Sequence, residues 1–83
     1  MIMNYKIKLD TFDKVKKFVN AVQTFESDID LTSDRYIINA KSIMGIFSLD
    51  LSKPLNVAVH EEDGVNEANK INEVMEEFRV DEN

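Results

Sequence analysis

Two runs of strict alternation constrain this chain more than any other feature. Tyr5, Ile7 and Leu9 are interleaved with Asn4, Lys6 and Lys8, and Leu55, Val57 and Val59 with Asn56, Ala58 and His60. A period of two places the apolar set of each run on one face of a strand and the polar set on the other. Strands of this kind are half-buried, so the sheet they build has one covered face and one wet face.

Between them the period changes. After Asp10 and Thr11, Phe12, Val15, Val19 and Val22 recur at three and four residues, with Phe18 and Phe25 widening the stripe, which predicts a helix to about Thr24. Asp10 or Thr11 would cap it, and Asp13 favours its positive end. Ile29/Leu31 and Tyr36/Ile38/Ala40 then alternate on either side of "TSDR", predicting a hairpin with strands near 28–32 and 35–40. Ser42 to Leu49 fits a short helix weakened by Gly45, and Pro54 opens the fourth strand. Val65, Ala68, Ile71, Met75 and Phe78 predict a C-terminal helix capped by Asp63, with "RVDEN" fraying beyond it. The order β-α-β-β-α-β-α predicts an α+β fold: a mainly antiparallel four-stranded sheet with helices on one face.

With 83 residues and no Cys, the chain has material for a single domain over 1–83, held by its core alone. Sixteen acids against ten bases give a net charge of −6, which argues against direct nucleic-acid binding through phosphate neutralisation. Lys14, Lys16 and Lys17 form a small basic spot early, while the acids gather late. No apolar run is long enough to span a bilayer and the N-terminus does not read as a signal peptide. A soluble, unprocessed, cytoplasmic protein is expected, with no membrane contact.

Catalytic chemistry finds little support. The one histidine, His60, sits on the wet face of its strand beside Glu61 and Glu62, without a second His or a Cys to complete a ligand set. "EED" lacks calcium-loop spacing, the two glycines form no phosphate-cradling loop, and no serine has a nearby base. No catalytic residue, cofactor or metal is expected, and the protein is not read as an enzyme. Ser42 differs, because it stands where the third strand gives way to a helix. It can act as a plain N-cap, or it can take a phosphoryl group whose charge would be favoured by about 0.3–1 kcal/mol at an exposed helix start.

The segment "NAKSIMGIFSLDLSK", above all "KSIMG", resembles HPr, the histidine-containing phosphocarrier of the bacterial sugar phosphotransferase system. The resemblance implies the HPr-like open-faced β-sandwich and makes Ser42 the counterpart of a serine that a dedicated ATP-dependent kinase phosphorylates. It also implies that Ile43, Met44 and Phe47 face protein partners. At the first-helix junction, where the family carries its phosphoacceptor in a "GxHARPA"-like motif, this chain reads "LDTFDKVKK". An ungapped count from "KSIMG" puts Thr11 at the acceptor histidine, Asp13 at its arginine partner and Lys14 at the proline. Imidazole forms a labile, transferable phosphoramidate, whereas a phosphothreonine is a stable ester, and Asp13 would repel the incoming anion.

The resemblance thus implies a regulatory protein-binding module that does not carry phosphoryl groups on histidine. HPr kinase, a transcription regulator or other phosphotransferase proteins are the partners implied. The alternatives are a phosphocarrier using His60 or Asp10, and a repurposed scaffold with an unrelated partner.

Overall fold

The computed structural model describes residues 1–34 and 36–80. Its elements run β1 (Ile2–Ile7), α1 (Phe12–Val22), β2 (Asp28–Ser33), β3 (Tyr36–Asn39), α2 (Ile43–Phe47), β4 (Leu55–His60) and α3 (Ala68–Phe78). The sheet is antiparallel throughout, in the order β1-β4-β2-β3. The last strand in sequence is therefore an inner one. Tyr5 lies opposite Val57 on one side of it and Leu31 opposite the same residue on the other.

That register collects Ile7, Leu55, Val57, Val59, Ile29 and Leu31 on the covered face, all buried. Val15, Phe18, Val19 and Val22 of α1 and Ile71, Met75 and Phe78 of α3 close over them. Phe18 meets Phe78 edge to face, with ring centroids 5.4 Å apart. A fully buried aromatic of this kind contributes about 1.5–3 kcal/mol through burial. Asn4, Asn56, Asp30 and His60 occupy the other face, as the alternation requires.

Four expectations need correction. Phe12 leaves the buried stripe of α1 and is 60% exposed, because as the first helical residue it turns to the Phe47 ring of α2 instead of the core. Tyr36 is exposed as well, since it lies at the far end of an edge strand. Asp63 does not cap α3: the helix begins at Ala68 with Glu67 as N-cap. Gly64 at φ +89° holds a turn, closed by Val65 N–H to the Glu62 carbonyl at 3.1 Å, which separates Asp63 from the helix. Arg79 and Val80 do not fray. Arg79 bridges to Ile7 and Val80 donates to the Lys6 carbonyl at 2.9 Å. The fraying expected for residues 81–83, and the start of β3 expected at Arg35, lie outside the described residues.

Glu67 has a structural task that its sequence neighbourhood does not announce. Its carboxylate accepts from the Glu26 N–H at 2.9 and 3.1 Å, the Ser27 N–H at 3.0 Å and the Ser27 hydroxyl at 2.8 Å. Its own N–H donates to Glu61 at 3.0 Å. The chain leaving α1 is thereby tied to the start of α3. Burial pushes this carboxyl upward, but the donors from Glu26 and Ser27, with Lys41 nearby, outweigh it and hold the pKa below the ordinary value. A carboxyl depressed in the folded state stabilises the fold above the unfolded-state pKa and loses that contribution as pH falls through the folded value. Thermal melts should therefore show a loss of stability below about pH 4.5. Glu67→Gln should flatten that part of the profile and lower stability at neutral pH by about 1–2 kcal/mol.

Candidate functional site

Two helix starts define the site. Thr11 has extended backbone and its Oγ1 accepts the Lys14 N–H at 3.1 Å, making it the N-cap of α1. This settles the choice between Asp10 and Thr11. Asp10 instead forms an ion pair with the Lys14 ammonium at 2.9 Å, and that hydrogen bond chiefly lowers its pKa. Asp13 is exposed in the first turn. Thr11, Asp13 and Lys14 are thus assembled at one helix end, with the Lys14 ammonium engaged by Asp10.

Ser42 starts the second helix. Its N–H donates to the Asn39 carbonyl at 3.0 Å, its carbonyl accepts from Ile46 at 3.1 Å, and its Oγ accepts the Gly45 N–H at 3.2 Å. The side chain is exposed. Met44 points outward at 79% exposure and Phe47 is partly exposed. Ile43 is only half exposed and packs against the core, so the three apolar candidates divide: Met44 and Phe47 form surface, and Ile43 mostly anchors the helix.

The start of α1 is joined to the end of α2 by a residue the sequence pattern had assigned to the core. The rings of Phe12 and Phe47 stack at 5.4 Å between centroids with 17° between their planes. Lys16 lies 5.4 Å above the Phe12 ring. Parallel stacking and a cation over the outer face stabilise exposed aromatic rings that would otherwise be poorly packed. Of the early lysines, Lys14 pairs with Asp10, Lys16 caps Phe12 and Lys17 pairs with Glu77. The basic spot is largely consumed within the chain. An outward aromatic at the first helical position facing a Phe five residues after a helix-capping Ser was the available signal, but neither periodicity contained it.

His60 is elsewhere. It projects from the open face of the sheet, with Nε2 3.4 Å from Asp30 Oδ2, and the whole thickness of the sheet separates it from α1 and α2. Among the described residues no group of three or more histidine or acidic side chains is arranged to hold a metal ion, and no helix is long and apolar enough to cross a membrane.

Comparison with known proteins agrees with this arrangement. The family model described as the PTS HPr component phosphorylation site matches residues 14–79. No curated protein sequence matches the chain. A crystal structure of the phosphocarrier protein HPr from Bacillus anthracis superposes with TM-score 0.70 at 20% identity, covering 94% of this chain and 98% of that one. HPr-C-His from Thermoanaerobacter tengcongensis superposes with TM-score 0.68 at 32% identity, covering 92% of this chain and 91% of its own. The chain is similar to phosphocarrier proteins in fold and in sequence. It belongs to the HPr family of the phosphotransferase system.

The mounting of α2 rests on Gly45. A Cβ at this position would lie 2.6 Å from Ile38 Cγ2, so the glycine lets the short helix approach β3. Gly45→Ala gains about 1 kcal/mol of helix propensity but forces a contact whose relief costs about 1–3 kcal/mol. A net loss of about 1 kcal/mol is expected in urea unfolding, together with shifted amide resonances for Ile43 to Phe47.

Proposed function

We propose that this HPr-family chain is a non-enzymatic regulatory module that docks on protein partners through Met44, Phe47 and Phe12, with Ile43 behind them. It does not carry phosphoryl groups on histidine. Phosphorylation of Ser42 is its switch. The observation that carries the reading is the chemistry of the α1 start: Thr11 holds the helix cap, Asp13 adds negative charge, and the only histidine lies on the opposite face of the sheet.

Ser42 suits modification because its hydroxyl is exposed while its backbone N–H and carbonyl are already satisfied. A phosphoryl group on Oγ adds a charge of about −1.5 to −2 next to Met44 without burying any of it. Because α2 starts there, the added charge has the favourable sign relative to the helix. The apolar patch supports docking, since an exposed cluster built from two stacked rings and a Met presents a large, polarisable contact area. Partners of the phosphotransferase system, HPr kinase and a transcription regulator fit this reading, in a cytoplasmic setting.

Incubation with HPr kinase and ATP should add one phosphate, absent from Ser42→Ala, as read by intact mass. Incubation with phosphoenolpyruvate and the first enzyme of the phosphotransferase system should leave the mass unchanged. An acid-labile phosphate on His60 or Asp10 in that second reaction would overturn the non-carrier reading. In a pull-down, Met44→Glu should lose the partners that the wild-type chain retains, by about tenfold or more.

A further inference from the structure

The chain has no Cys, so its sulfur chemistry rests on four methionines, and the fold gives each a different setting. Met75 is fully buried in the core on α3. Met3 is half-buried, and its sulfur accepts the Tyr5 hydroxyl at 3.7 Å. Met1 is exposed but lies at the end of β1, where its ammonium donates to the Glu61 carbonyl at 2.9 Å. Met44 is 79% exposed, more than any other large apolar side chain among the described residues. It stands two residues after Ser42 and three before Phe47, in the middle of the surface that α2 presents.

Exposure decides which thioether an oxidant reaches. Hydrogen peroxide is a sufficient co-reactant: a sulfur lone pair attacks one peroxide oxygen, the O–O bond breaks, and the leaving hydroxide collects the proton of the transferred hydroxyl. The products are a sulfoxide and water, with the sulfur oxidised by two electrons and the peroxide reduced. Met44 belongs to neither the core nor the side chains packed against it. The cap at Ser42 and the approach of Gly45 to Ile38 do not involve its sulfur either. Oxygen can therefore be added there without disturbing the fold.

We infer that Met44 is a reversible oxidation site whose sulfoxide closes the docking surface and thereby blocks phosphorylation of Ser42; this inference rests on the docking reading proposed above. A thioether is apolar and polarisable and suits contact with a partner. A sulfoxide carries a strong dipole whose oxygen demands a hydrogen bond, and burying it in an apolar contact leaves that demand unmet. The two modifications are chemically distinct. A phosphoryl group on Ser42 brings negative charge to a helix start, where its sign is favourable, whereas the sulfoxide brings no charge and acts only on the contact. Oxidation thus precedes and vetoes phosphorylation, and a thiol-dependent methionine sulfoxide reductase reverses it.

The test treats the folded chain with hydrogen peroxide, removes the peroxide, and then adds HPr kinase and ATP, with intact mass and peptide mapping as readouts. Met44 and Met1 should take up one oxygen each, Met3 more slowly, and Met75 more slowly than Met44 by about tenfold or more. Circular dichroism should be unchanged. Phosphate uptake at Ser42 should slow by about tenfold or more once Met44 is oxidised, and reductase with thiol should restore the untreated rate. Met44→Leu, whatever its own rate, should show the same rate before and after peroxide. An oxidised chain phosphorylated at the untreated rate overturns the inference, as does a loss that the reductase fails to reverse or that appears equally in peroxide-treated Met44→Leu. Preferential oxidation of Met3 or Met75 over Met44 also overturns it. A chain that the kinase leaves unmodified even before treatment overturns the docking-and-switch reading itself, and the inference falls with it, so the untreated sample tells the two failures apart.

Discussion

The structure depends on β4 being held between β1 and β2. Leu55, Val57 and Val59 are buried because both neighbouring strands extend their apolar faces on either side and α1 and α3 close over them. Without this strand β1 has no sheet to join, and the β2–β3 hairpin is a pair too small to stand alone. The helices depend on it as well, since α1 and α3 need a continuous apolar floor beneath Phe18, Ile71 and Phe78. A half-buried inner strand also leaves its other face polar, which is why His60 and Asp30 meet in the open.

The Glu67 carboxylate is the second constraint, and it acts where the sheet cannot. After the Phe25 N–H closes the end of α1 on the Val22 carbonyl, Glu26 and Ser27 carry donors that no ladder satisfies, and Ser27 is almost fully buried. An acid at the start of the last helix supplies the acceptors. Lys41 supports the same corner by donating to the Phe25 carbonyl at 2.7 Å, while Gln23 donates to the Lys41 carbonyl at 3.1 Å. The chain entering α2, and with it the position of Ser42, is thereby linked to the end of α1.

The proposed docking surface grows from that corner. Ser42 and Thr11 cap two helices that meet through the stacked rings of Phe47, the last residue of α2, and Phe12, the first of α1. The close approach of α2 to β3 at Gly45 fixes how far Met44 and Phe47 stand out. Membership of the HPr family assigns the scaffold, and at the α1 start a hydroxyl cap and a carboxylate occupy the end of the helix. The proposed reading of the protein as a docking module rests on those two groups at the α1 start.

Alternation in residues 5–9 and 55–60, helical spacing in 12–22 and 68–78, the cap at Ser42 and a cap at Asp10 or Thr11 were legible in the sequence because each rests on contacts within a few residues. The open-face placement of His60 followed from parity alone. The sequence could not assign Phe12 to the surface, Glu67 to the α1–β2 connection, or Asp63 to a turn outside α3, because each outcome depends on a partner distant in the chain. It also treated Gly45 as a weak helical residue, when its value lies in the space it leaves for Ile38. Periodicity determines which face of an element is apolar, by local geometry. Which apolar side chains are covered, and which carboxylate finds donors, only the tertiary packing decided, since burial and hydrogen bonding at long range are properties of the assembled layers.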